Sequence, residues 1–216
     1  MAVRTRIKIC GMTKKKEVAA VVEAGVDAVG FIFAEESPRH ISPEKARDIV
    51  RRLPPFVDAV GVFVNEEASV VQEIVQYCGL TLVQLHGDET PAYCREMTCR
   101  VLKAFRVGPH TSHAELAAYE EVVNGFLLDT FHEKLAGGTG QTFDWQLVAQ
   151  LASPGPVILA GGLNPANVGQ AVRAVRPFAV DLNSGVESKP GRKELDKIRQ
   201  VVAAVRQADA ENVAPA

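Results

Sequence analysis

The 216-residue sequence has no excess of either charge: 24 Lys and Arg against 26 Asp and Glu leave a formal net charge of −2 and a pI near 6.2. Such a chain has no global basic field to collect nucleic acid or an acidic membrane surface, so any anionic ligand must be held by local groups. Its four cysteines, Cys10, Cys78, Cys94 and Cys99, lack the paired close spacings of a zinc site. A chain of this length needs no disulfide framework either, which points to a reducing, cytoplasmic setting. No apolar stretch follows Arg4, Arg6 and Lys8, and no run approaches the roughly 20 residues that span a bilayer. A soluble, unexported protein is the expectation. A dinucleotide-binding glycine fingerprint is also missing, as is any linker or low-complexity stretch that would divide the chain. With 47% apolar residues, the chain can bury one substantial core and scarcely two.

What is present is a repeat. Eight short apolar runs, at 6–10, 28–33, 59–64, 82–85, 101–105, 125–129, 156–160 and 179–182, recur every 19 to 31 residues. Each leads into polar, Gly-rich or capping residues and, in nearly every case, into a segment of helical character. Ser42-Pro43, Thr90-Pro91 and Asn164-Pro165 each set a capping side chain before a proline at a first helical position. Helical periodicity is clear in Ala46, Ile49, Val50 and Leu53, in Leu147, Val148 and Leu151, and in Leu195, Ile198, Val201 and Val202, and weakest near Ala114 to Tyr119. Eight strand-then-helix units are the signature of a parallel (β/α)8 (TIM) barrel in a single domain, placed over 1–207, with 208–216 a frayed tail that loses apolar periodicity. An open doubly wound sheet shares the alternation, but eight units without the fingerprint favour the barrel.

In such a barrel the chemistry sits in the loops after the strand C-termini. Alternation turns Ile7 and Ile9 towards the helices and Lys8 and Cys10 into the barrel, with Gln84 and His86 sharing an inward face. Cys10 ends the first strand and Asp129 the sixth, so an acid and a base can flank one small substrate. A thiol titrates near about 8.5 and a carboxyl near about 3.9, so the surroundings must tune both. Lys8 could favour a thiolate, and a desolvated Asp129 could hold its proton. A lone cysteine is otherwise a small buried hydrophobe.

Gly161-Gly162 after the seventh strand and Ser184-Gly185 after the eighth suit a phosphate cradle of backbone N–H groups and a hydroxyl. Either glycine loop alone would read as an ordinary turn. Gly137-Gly138-Thr139-Gly140, after the sixth strand, could close over a ligand, or be a surface connection. Arg39, on the proline-stiffened Ser37-Pro38-Arg39-His40 loop, could take a substrate carboxylate through two hydrogen bonds. His86 could orient a ligand, relay a proton or be a hydrogen-bonded structural residue. Asp181 could pair with Lys8 or meet a substrate hydroxyl.

Lys8-Ile9-Cys10-Gly11-Met12-Thr13, Gly30-Phe31-Ile32-Phe33, Ser37-Pro38-Arg39 and Gln84-Leu85-His86-Gly87 resemble blocks of the phosphoribosylanthranilate isomerase family of tryptophan biosynthesis. Leu128-Asp129-Thr130, Gly137-Gly138-Thr139-Gly140, Ala160-Gly161-Gly162-Leu163 and Asp181-Leu182-Asn183-Ser184-Gly185-Val186-Glu187 continue the match from first strand to last. Asn183 stands where many members have serine, and Met12 where isoleucine or leucine is common. The resemblance implies a cofactor-free and metal-free Amadori rearrangement of N-(5-phosphoribosyl)anthranilate to the open-chain carboxyphenylamino-deoxyribulose phosphate. It assigns Asp129 as general acid, Cys10 as general base and Arg39 to the anthranilate carboxylate. Gly161, Gly162, Ser184 and Gly185 would receive the phosphate, with His86 and Asp181 lining the sugar site. The partner is then a small phosphorylated substrate, with no nucleic acid or membrane, and the oligomeric state is open between monomer and homodimer. Competing readings are another phosphosugar isomerase or epimerase, nucleophilic thiol chemistry through Cys10 and His86, and a non-catalytic phosphate-ligand barrel.

Overall fold

A computed structural model describes residues 4–108, 110–129 and 145–213. Eight parallel strands close into one barrel in sequence order: β1 (Arg6–Ile9), β2 (Ala28–Ile32), β3 (Asp58–Phe63), β4 (Leu82–Leu85), β5 (Arg100–Arg106), β6 (Gly125–Asp129), β7 (Val157–Ala160) and β8 (Ala179–Leu182). Closure is made by β1 pairing with both β2 and β8, with Lys8 in register with Asp181. The helices between and after them are α1 (Lys15–Glu23), α2 (Pro43–Val50), α3 (Ala68–Cys78), α4 (Pro91–Glu96), α5 (His113–Ala117), α6 (Trp145–Gln150), α7 (Val168–Val175) and α8 (Leu195–Val213).

Strand alternation divides the apolar residues into two cores. Outward residues such as Ile7, Ile9, Phe31, Phe126 and Leu159 pack under the helices. Helical spacing supplies the other half: Ala46 and Ile49 of α2 are buried, as are Ile198, Val201, Val205 and Ala208 of α8. Each fully buried Val, Ile, Leu or Phe side chain among these stabilises the fold by about 1.5–3 kcal/mol. Inward residues Val60, Leu82, Leu102, Leu127, Ile158 and Ala179 fill the barrel itself. Nearer the C-terminal mouth the inward positions turn polar, with Lys8, Gln84 and Asp181 buried below Cys10, His86 and Asp129.

The structure departs from the sequence reading at three places. α7 starts at Val168 rather than at Pro165, because Asn164 spends its side chain on a turn, accepting from Ala166 N–H at 2.9 Å. The segment after Gln207 is not a frayed tail: α8 runs to Val213, Ala208 is buried, and the Asp209 carboxylate accepts from Thr5 N–H and Oγ1 at 2.9 and 2.6 Å. A short antiparallel hairpin, β9 (Glu187–Lys189) and β10 (Arg192–Lys193), stands between β8 and α8. The glycines 137, 138 and 140, with Thr139, lie outside the described residues.

Candidate active site

Cys10 follows β1 and is buried against Ile32, Val62 and Ala34. The neighbouring inward position on β2 is Gly30, and a Cβ there would stand 2.8 Å from Cys10 Sγ and 3.2 Å from Lys8 Cε. Glycine is therefore what leaves room for the thiol. Lys8 Nζ lies 2.7 Å from Asp181 Oδ2 in a buried ion pair. Burial alone would lower the Lys8 ammonium, but Asp181 and Cys10 beside it outweigh that and raise it. The expected thiolate is not favoured: burial pushes the Cys10 thiol up, and the opposing Lys8 charge does not overcome it. Asp181 Oδ1 and Gln84 Oε1, both buried at this end of the barrel, have no hydrogen-bond partner among the described residues.

Across the mouth, Gln84 and His86 point the same way from the end of β4. Gln84 Nε2 lies 2.9 Å from His86 Nδ1. An amide nitrogen can only donate, so Nδ1 accepts and the proton of the neutral ring sits on Nε2. That nitrogen faces Asp129 Oδ2 at 3.8 Å, too far for a direct hydrogen bond. Both side chains remain about a quarter exposed, His86 at 25% and Asp129 at 24%, as groups open to a ligand must. Burial lowers the imidazole, outweighing the nearby Asp129 and Asp181 carboxylates, so His86 stays neutral near pH 7.

Arg39 is not a solvated loop arginine. Its Nε donates to Glu187 Oε1 and Oε2 at 3.0 and 3.1 Å, and its Nη2 to Oε2 at 2.7 Å. Glu187 also accepts from Lys193 Nζ at 2.8 Å and from Gly191 N–H at 3.1 Å. Burial works against this carboxylate, but the hydrogen bonds from Arg39 and Lys193 hold it below the usual glutamate range. One edge of the guanidinium is so fixed, and Nη1 has no partner among the described residues. Lys193 further donates to Asn183 O and Oδ1 at 3.1 and 2.9 Å, binding the β8 loop to the hairpin. Gly11, at φ +70°, passes under Arg39 and Asn183, where a Cβ would lie 2.8 Å from Arg39 Cδ and 2.7 Å from Asn183 Oδ1. Sequence reasoning gave Glu187 and Lys193 no role, because pairing over 148 residues leaves no local pattern.

The loops after β7 and β8 meet backbone to backbone. A Cβ on Gly185 would fall 1.9 Å from Leu163 O, so only glycine allows the approach. Gly161 and Gly162 both take positive φ, +95° and +61°. The N–H groups of Gly161, Gly162, Ser184 and Gly185 donate to no acceptor among the described residues, and Gly162 and Ser184 are exposed. Among the described residues, the two loops thus set unpaired amides side by side.

A family model described as N-(5'-phosphoribosyl)anthranilate (PRA) isomerase matches residues 7–204. The chain belongs to this isomerase family. The family's isomerase from Trichlorobacter lovleyi is 50% identical over 204 residues, covering 94% of this chain and 98% of its own. A solved isomerase, in complex with reduced 1-(o-carboxyphenylamino)-1-deoxyribulose 5-phosphate, is 41% identical with a TM-score of 0.82, covering 94% of this chain and 99% of that one. Another, of monomers generated from the dimeric Thermotoga maritima isomerase, is 40% identical with a TM-score of 0.83, covering 94% and 98%. The described structure brings Cys10, Arg39, His86, Asp129, Asp181, Gly161, Gly162, Ser184 and Gly185 to the C-terminal end of one barrel.

Proposed function

We propose that the chain isomerises N-(5'-phosphoribosyl)anthranilate to 1-(2-carboxyphenylamino)-1-deoxyribulose 5-phosphate by general acid–base catalysis. The observation that carries this reading is one mouth holding a buried thiol and a His86–Asp129 pair with four amides that have no acceptor among the described residues. Asp129, protonated, gives its proton to the furanose ring oxygen as the C1–O bond breaks, leaving a C1=N iminium. Cys10 as thiolate removes the C2 proton. That C–H electron pair becomes the C1=C2 bond, and the iminium pair returns to nitrogen. The enolamine gains a proton at C1 and loses the C2 hydroxyl proton to give the ketone. The iminium is the electron sink, so the scheme calls on no cofactor.

The remaining groups follow from the same geometry. The amides of Gly161, Gly162, Ser184 and Gly185 suit a phosphate dianion. The Nη1 side of Arg39 suits the anthranilate carboxylate. Asp181 Oδ1 is an acceptor for a sugar hydroxyl, and the His86 Nε2–H faces the carboxylate that Asp129 becomes on giving up its proton. Four unpaired cysteines accord with a cytoplasmic setting. A homodimer is the partner reading: Phe56 is fully exposed, in a left-handed conformation, on the barrel face opposite the site. That face also has a cavity of about 290 Å3 whose lining mixes apolar Val60, Leu82, Leu102 and Ile158 with charged Arg6, Asp27, Asp58 and Arg100, and an isologous contact on this face would bury the ring.

The test is the disappearance of phosphoribosylanthranilate fluorescence with freshly made substrate, comparing wild type, Cys10→Ala and Asp129→Ala, each with and without chelator. Conversion by wild type in chelator, with a loss of roughly 10²- to 10⁴-fold in kcat for each folded variant, supports the reading. A folded wild-type protein that does not convert the substrate refutes it.

A further inference from the structure

Behind His86, outside the barrel wall, lies a buried ion pair that the scheme above does not use. Lys103 of β5 alternates with the inward Leu102 and Ala104, so it faces away from the barrel interior. Its Nζ lies 3.1 Å from Glu89 Oε2, and the two side chains are only 3% and 2% exposed. The other acceptors of the ammonium are Gly87 O at 2.7 Å, Leu85 O at 3.3 Å and Ala104 O at 3.1 Å. Leu85 and Gly87 are the residues on either side of His86. Glu89 completes the grip: Gly87 N–H donates to both its oxygens, at 3.1 and 2.9 Å, and Asn65 N–H donates to Oε1 at 2.9 Å. Asn65 Oδ1 in turn accepts from Asp88 N–H at 2.6 Å. The fit allows no slack, since a Cβ on Gly87 would lie 2.2 Å from Asn65 Oδ1.

A buried pair is a weak source of net stability, because desolvation of both charges offsets much of their attraction. An apolar pair could fill the same space. What an apolar pair could not do is bind the carbonyls that flank one particular residue. We propose that Lys103 and Glu89 are positioning residues that lock the backbone around His86 and so hold its imidazole towards Asp129. This deepens the reading given above for His86 and rests on it. The charges facing the imidazole agree with that role. Burial lowers His86, Asp129 and Asp181 raise it, and Lys8 and Lys103 lower it, so the Lys103 ammonium both fixes the ring and helps keep it neutral.

The experiment compares wild type, His86→Ala, the double variant Lys103→Met/Glu89→Gln and the triple combination, by steady-state kinetics and by 15N-histidine NMR titration. The double variant is expected to lose about tenfold in kcat when His86 is present. It should lose less than about twofold in the His86→Ala background, because the pair acts through that side chain. The His86 resonances should shift, and their titration midpoint should move up with the ammonium gone. Equal losses in both backgrounds, or a His86 titration that does not move, would overturn the proposal. Full activity in His86→Ala would refute the catalytic reading of His86 alone, and the NMR titration would still decide the positioning claim. If the double variant does not fold, Glu89→Gln, which keeps one acceptor for the Asn65 and Gly87 amides and retains the ammonium, gives the kinetic comparison in the two His86 backgrounds, and Lys103→Met alone gives the titration.

Discussion

At the scale of single residues, Cys10 works against its surroundings. The base proposed for Cys10 must lose its proton, yet burial raises the thiol and Lys8 does not bring it back. The thiol's own titration should therefore fall above the ordinary thiol range. We expect the basic limb of kcat/KM, which reports the free enzyme, to lie above about pH 8.5 and to move higher in Lys8→Met/Asp181→Asn, which removes the cation and its buried partner together. A limb below that pH in wild type, or one unmoved in the variant, contradicts a Cys10 base under these influences. Gly30→Ala tests the space rather than the charge. A methyl 2.8 Å from Sγ must push the thiol aside, so kcat should fall about tenfold or more, at a stability cost of roughly 1–3 kcal/mol visible in a thermal melt. Cys10, His86 and Asp129 were legible in the sequence because each ends an apolar run. Lys103 was not, since a lysine between Leu102 and Ala104 reads as an outward, solvated position until Glu89 is seen beside it.

Among the elements, the hairpin β9–β10 carries the greatest consequence for the site. Its Glu187 holds one edge of Arg39, so Glu187→Gln should raise KM more than it lowers kcat, by freeing the guanidinium to rotate. The carboxylate is held below the usual glutamate value in the folded state, so it contributes stability above the unfolded value of about 4.3. That contribution disappears as pH falls through the lower folded value. Melting temperatures of wild type and Glu187→Gln should accordingly differ near pH 7 and converge on acidification below about pH 4. A constant gap would show that the pair does not titrate as argued. The eight strands could be read from sequence, within a residue or two, because alternation and burial agree along each of them. The hairpin could not, because Ser188-Lys189-Pro190-Gly191-Arg192 contains no apolar alternation and is tied to a residue far off in sequence, Thr13, whose Oγ1 donates to Gly191 O at 3.0 Å. The start of α7 was misplaced for a related reason, since Asn-Pro marks a turn as well as a helix cap.

In the whole molecule, the first strand and the last helix are tied together. Besides the two bonds from Thr5 to Asp209, Arg206 Nη1 donates to Thr5 O at 2.7 Å. Ala208 continues the buried series of Ile198, Val201 and Val205, but so small a residue reads weakly as a core position, which is why the helix looked shorter in the sequence. Truncation after Gln207 should lower stability by roughly 3 kcal/mol in urea unfolding, through lost charged hydrogen bonds and burial. kcat at a temperature where the shortened barrel is folded should stay near wild type. A truncated protein as stable as the full chain would show that the tie is ornamental.

The same closure has a temporal side. Since β1 pairs on one flank with β2 and on the other with β8, its second edge stays bare until the final quarter of the chain exists. During synthesis the growing sheet therefore has two unsatisfied borders, and the long-range loop that joins them is the last and entropically costliest to form. A nascent chain stalled before residue 179 is an open, sticky sheet rather than a smaller barrel.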